Sequence, residues 1–157
     1  MIQQTGTLLV SAIKNGTVID HAKAGSALKI LSILGVENHD NVVTIGMHLP
    51  SKTSGKKDII KLANWEITPS KANLTAIFSP SAVINIIKDF KVVKKYQVEL
   101  SEIISGLVVC PNPKCITNNE SMDSLFHTQK NKQGVSLKCH YCERTFKQED
   151  IKEYHRA

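Results

Sequence analysis

A two-domain α+β protein is expected from three features of the 157-residue chain. Strand-like and helix-like segments alternate through residues 7–97, no internal repeat or low-complexity tract interrupts them, and all four cysteines arrive after residue 109 in two short pairs. The composition, 41% hydrophobic and 22% charged, is that of a soluble globular protein able to bury a core.

"TLLVSAIK" is a β-rich run that ends at the turn signal "KNG". Beyond "TVIDH", the segment "AGSALKILSILG" places Ala27, Ile30, Leu31 and Leu34 on one helical face, with Gly35 as the stop. "NVVTIGMHLP" alternates Val43, Ile45, Met47 and Leu49, and the loop "PSKTSGKK" leads into "DIIKLANW" as the second strand of a hairpin. "TPSKANLTAIF" predicts a second helix, with Thr68 as N-cap and Pro69 in the first turn, stopping before Pro80. "AVINIIK" and "KVVKKYQV" are two further strands. The order strand, helix, strand, strand, helix, strand, plus one strand, is that of a ferredoxin-like sandwich. We therefore place a first domain at residues 1–100 and a second at 101–157, with "ELSEIISG" at 99–106 as a hinge holding one helical turn.

The cysteines define the second domain. The N-terminal stretch lacks the basic-then-apolar run of a secretory signal, and no apolar segment approaches the roughly 20 residues that span a bilayer. A cytoplasmic location with no membrane partner is the expectation, and there four clustered thiols stay reduced and serve a metal rather than disulfides. Four residues separate Cys110 from Cys115, two separate Cys139 from Cys142, and 23 lie between the pairs. Two such knuckles present four thiolates to one tetrahedral zinc ion per chain. Pro111 and Pro113 stiffen the first knuckle, and "GVSLKCHYCERTF" reads as a strand entering a hairpin built on the second, a zinc-ribbon-like β module. His140, inside the second knuckle, reads as a solvent-facing turn residue. Four thiolates leave no coordination position for water, so the zinc is structural and catalysis is not expected. So small a segment relies on its metal to fold.

Charge needs care, because a net charge of +6 invites a nucleic-acid assignment. Residues 1–100 carry 12 Lys/Arg against 7 Asp/Glu, whereas residues 101–157 carry 8 against 7 before the thiolates are counted. The zinc module is thus not the basic part, and aromatics, at 5%, are too few for a stacking platform. A zinc-ribbon nucleic-acid-binding protein remains the alternative reading. Lys56, Lys57 and Lys61 on one strand, with Lys94 and Lys95 on another, form either ordinary solvated edges or one cationic face. "PSKTSGKK" has proline where a phosphate loop needs its first glycine, so a nucleotide would be held by point charges.

"GTVIDH" at 16–21, "KKDIIKL" at 56–62, "VINIIKDFKVV" at 83–93, "VVCPNPKCITNNE" and "LKCHYCERTF" together resemble the regulatory chain of aspartate carbamoyltransferase, nearly end to end. The resemblance implies a non-catalytic allosteric subunit of pyrimidine biosynthesis. Its first domain would bind the effectors CTP and ATP and pair with a second regulatory chain, and its zinc domain would dock on catalytic chains. The nucleotide site it implies comprises Asp20, His21, Lys61, Asn85 and Lys95, with backbone around Val10, Ala12 and Ile13. Read locally, Asp20 can instead cap the nearby helix, His21 pack at its foot, and Asn85 sit in a turn. Ser11, Lys91 and Lys94 depart from the family's expected pattern and leave effector preference open.

Overall fold

The computed structural model describes residues 10–155, and the chain divides into two compact units with the boundary after Glu99. In the first unit the order is β1 (Gly16–Lys23), α1 (Ala27–Leu34), β2 (Val43–Ser51), β3 (Gly55–Ala63), α2 (Pro69–Ala72), β4 (Val83–Lys88) and β5 (Lys91–Gln97). The strands form one antiparallel sheet in the order β2-β3-β1-β4-β5, the ferredoxin-like arrangement with β5 added beside β4. Ile19, Ile60 and Ile84 lie opposite one another in a single cross-strand row and are fully buried. With Ile30 and Leu34 of α1 they supply the core.

Helix α1 ends as its sequence predicts, with Gly35 in the left-handed region (φ 68°) and its N–H reaching back to the Leu31 and Ser32 carbonyls. Thr68 caps α2, its hydroxyl accepting from the Lys71 N–H at 3.3 Å. This helix is shorter than expected, however, because after one turn it tightens into a 3-10 segment, Asn73–Ile77.

Three other expectations are corrected. Of "TLLVSAIK", residues 7–9 lie outside the described residues, and Val10–Lys14 are irregular rather than a strand. The Lys61 ammonium takes the Val10 and Ser11 carbonyls that a strand would give to a ladder, and the first strand among the described residues is "GTVIDHAK". The alternation in β2 is broken by a bulge between Gly46 and Leu49, with His48 at φ 58°, and Ile45 is 39% exposed. The stretch 99–106 holds no helical turn but contains a strand, β6 (Ile103–Ser105).

In the second unit β6 begins an antiparallel sheet of order β6-β7-β8-β9, with β7 (Leu125–Asn131), β8 (Gly134–Cys139) and β9 (Thr145–Lys147). The polar run "HTQKN" concealed β7 from sequence reasoning. Phe126, Leu137, Val108 and Ile151 are fully buried and make a small core.

Gly16 opens β1 at φ 135°, and a Cβ there would run into the Leu62 carbonyl oxygen of the neighbouring strand. Both faults are backbone faults that no rotamer relieves. Gly16→Ala should lose roughly 2–4 kcal/mol of stability, read by urea unfolding followed on Trp65, the chain's one tryptophan. An unchanged midpoint would show that the strand end gives way freely.

Candidate ligand pocket and metal centre

The metal centre is built from two loops. In the first, the Asn112 carbonyl accepts the Cys115 N–H at 3.0 Å, and the Asn118 amide donates to the carbonyls of Cys110 and Asn112, each at 2.8 Å. Asn119 donates in the same way to Cys115, at 2.8 Å. In the second, the Glu143 N–H returns to the Cys139 carbonyl and the Cys139 N–H to Arg144, with Glu143 at φ 60° to make the turn. The asparagines were missed in the sequence; their signal was the density of Asn and Pro in "PNPKCITNN", which is turn chemistry.

The result is four free cysteines whose sulfurs all lie within 4.8 Å of one another. Cys110 to Cys142 is 3.8 Å and Cys115 to Cys139 is 3.7 Å. Zinc–sulfur bonds of about 2.3 Å at tetrahedral angles place sulfurs roughly 3.8 Å apart, so the cluster fits a structural zinc ion. Burial pushes the thiols of Cys110 and Cys139 up. Burial pushes Cys115 up too, but the Thr117 hydroxyl at 3.1 Å and the Thr117 N–H outweigh it, and its thiol falls to about 7. Zinc must therefore displace protons from this set, so its hold weakens as the pH falls.

The pocket belongs to the first unit and follows from strand register. Lys61 on β3 faces Val18 on β1, Val18 faces Asn85 on β4, and Asn85 faces Lys95 on β5. These four side chains stand in one row on one face of the sheet, while the adjacent row of buried isoleucines points to the other. Together with Ala12, Ile13, Asp20 and His21 they line a cavity of about 250 Å³, closed on its apolar side by Ile59, Ile87, Phe90 and Val92. Seven of the eight side chains or segments implied by the resemblance meet here, and Val10 joins through its carbonyl, 3.2 Å from the Lys61 nitrogen.

Two of the local alternatives are not what the structure contains. Asp20 does not cap α1 and Asn85 is not in a turn; both are strand residues. Lys57 and Lys61 are 3% and 4% exposed on an inner strand, which removes the solvated-edge reading for this pair, whereas Lys94 and Lys95 are exposed on edge strand β5. Lys57, which sequence reasoning left out of the site, is 2.8 Å from the Asp20 carboxylate. Burial raises the pKa of Asp20, but the Lys57 hydrogen bond and the His21 N–H at 2.7 Å outweigh it, and the net direction is down. Asp20 is thus an ionised acceptor whose charge Lys57 balances. Lys61 has only carbonyl partners for its ammonium, and burial pulls its pKa down. Among the described residues neither Lys61 nor Lys95 has a carboxylate within ion-pair distance, so the pocket presents two cationic groups without a direct ion pair beside an apolar wall. Such a pocket suits an anionic ligand with a flat apolar part.

A small antiparallel sandwich with a cationic pocket, joined in one chain to a four-thiolate module, defines a two-domain protein with a structural metal site rather than a metalloenzyme. Comparison with known proteins gives the particular family. The aspartate carbamoyltransferase regulatory chain, allosteric domain, matches residues 8–99, and the metal binding domain of the same chain matches residues 102–152. The aspartate carbamoyltransferase regulatory chain of Aeromonas hydrophila subsp. hydrophila is 44% identical over 152 residues, covering 97% of this chain and 99% of the relative. That of Pyrococcus horikoshii is 44% identical, covering 92% and 95%, and that of Phocaeicola vulgatus 45%, covering 92% and 93%. This chain belongs to the aspartate carbamoyltransferase regulatory chain family and is a regulatory, non-catalytic subunit. Among the described residues no helix is long and apolar enough to cross a membrane.

Proposed function

We propose that this chain senses CTP and ATP in the pocket of its first unit and conveys their binding to aspartate carbamoyltransferase catalytic chains, adjusting pyrimidine biosynthesis to nucleotide supply. The observation that carries this reading is the row Lys61, Val18, Asn85, Lys95 across four strands, flanked by Asp20 and His21. Lys95 and His21, both exposed, meet the triphosphate; Lys61 meets a ribose hydroxyl or phosphate oxygen; Asp20 accepts from ribose hydroxyls. The main chain at Ala12 and Ile13 lines the same cavity, where carbonyls can accept from the exocyclic amine that cytosine and adenine share. Two copies of the first unit pair, and the zinc module docks on catalytic chains. An effector then controls activity by its differential affinity for two quaternary states.

Calorimetric titration at moderate salt tests the site. Lys95→Ala should weaken CTP and ATP alike by roughly tenfold to a hundredfold, the worth of a charge-assisted contact to phosphate. Asp20→Ala should weaken both ribonucleotides relative to inorganic triphosphate, because the latter has no ribose for the carboxylate to hold. Unchanged titrations would return Lys95 to the role of a solvated edge lysine. Tighter binding of a mixed oligonucleotide, collapsing with salt, would favour the nucleic-acid alternative.

A further inference from the structure

Beside the second knuckle, and distinct from its thiolates, two histidines face each other. His127 lies on β7, and His140 follows Cys139 at the end of β8, where its N–H is held by the Leu125 carbonyl at 2.8 Å. The His127 Nε2 and His140 Nδ1 atoms are 3.1 Å apart, with ring centroids at 5.3 Å and planes inclined at 46°. Both residues are exposed, so burial does not force the rings together, and water is available to each nitrogen. Tyr141 packs edge-on against His140, with centroids 5.1 Å apart, and limits the swing of that ring.

We propose that His127 and His140 form a second metal site on this unit, a two-imidazole clamp for a divalent first-row transition ion such as Ni²⁺, Cu²⁺ or Zn²⁺. Metal–nitrogen bonds of about 2.0–2.1 Å set two adjacent ligand nitrogens roughly 2.9 Å apart at a right angle and roughly 3.4 Å apart at a tetrahedral one. The 3.1 Å separation falls between these limits, so both nitrogens can reach one ion once the rings turn their lone pairs from each other toward it. Imidazole suits these ions and carboxylate-preferring Mg²⁺ or Ca²⁺ poorly. Water completes the coordination. Among the described residues neither ring's other nitrogen has a carbonyl or carboxylate partner, so the site lacks outer-shell support and exchanges its ion readily, unlike the buried thiolate centre. An ion held here ties β7 to the turn that carries Cys139 and Cys142.

The test uses the full, untagged chain with its thiolate centre already filled by zinc, titrated calorimetrically with NiCl₂. One further ion should bind per chain while the zinc content stays at one. Loss of an outer-shell partner alone typically costs about 10- to 100-fold in affinity, so His127→Ala and His140→Ala should each weaken Ni²⁺ at least about tenfold. His39→Ala and His155→Ala should leave the titration unchanged. His127 is the decisive position, because its exposed place on β7 is remote in sequence from any cysteine, and retained zinc certifies that the variant is folded. A His127→Ala titration that overlays the parent's, or no Ni²⁺ uptake by the parent at millimolar concentration, would overturn the proposal.

Discussion

Zinc removal is expected to unfold the second unit and leave the first standing. Three of the four cysteines are themselves part of the buried interior of the second unit, beside a core whose fully buried large side chains are Phe126, Leu137, Val108 and Ile151. So few apolar groups cannot offset the ordering of a segment this small, whereas structural zinc contributes about 10–16 kcal/mol in comparable peptides. A mercurial reagent, or Cys139→Ser, should therefore open residues from about 100 onward to proteolysis. Trp65 reports on the other unit, stacked on His39 with centroids 3.6 Å apart and with the Lys71 ammonium 5.2 Å from the centre of its ring, and its emission should not change. On the proposed function, CTP binding by the stripped chain should persist, and catalytic chains should be released in a form indifferent to CTP and ATP, with added zinc reversing both. Large complexes persisting in sedimentation without zinc would refute the docking role. A shift of Trp65 emission on stripping would refute the independence of the two units.

What the sequence made legible follows from the range of each interaction. Spacing alone grouped Cys110, Cys115, Cys139 and Cys142, because a knuckle is a local structure. The end of α1 at Gly35 and its buried stripe are local too, and were readable from periodicity and one glycine. The ladder was less accessible. "TLLVSAIK" has the composition of a strand, but its carbonyls at Val10 and Ser11 are claimed by a lysine ammonium 50 or more residues away, and no window of the sequence contains that competition. The same holds for the pocket. That Lys61 and Lys95 share a face depends on the registers of three strand pairs, two of them shifted, between Ile19 and Ala22 and between Ile86 and Ile87. Local pattern left Lys57 and Lys61 as either edge lysines or part of a cationic face, since nothing in "GKKDIIKLA" says that β1 will pair on the side that β2 leaves open.

Asp58 stands out once the structure is known, and its loss should be among the most damaging single substitutions in the first unit. It is fully buried, and its two oxygens accept three backbone N–H groups at 2.9 Å: Oδ2 those of Gly25 and Ala27, and Oδ1 that of His48. One carboxylate thus caps α1, whose own N-cap Ser26 turns its hydroxyl back to the Lys23 carbonyl and makes no capping bond, and fixes the bulge of β2 across the sheet. Each hydrogen bond to a charged group is worth roughly 1.5–3 kcal/mol, though three on one residue do not simply add. Asp58→Ala strands all three donors in a dry site and should cost about 4 kcal/mol or more, a large part of the roughly 5–15 kcal/mol that holds a domain together. Asp58→Asn is the sharper probe, because it keeps the shape but has only one acceptor oxygen. Whichever way the amide turns, its NH₂ group meets an N–H, so a loss of about 1–3 kcal/mol should remain. Urea unfolding followed on Trp65 at matched protein concentration reads both. If Asp58→Asn unfolds at the parent's midpoint, shape rather than acceptance holds the helix start and the bulge. If it falls between parent and Asp58→Ala, the carboxylate oxygens do.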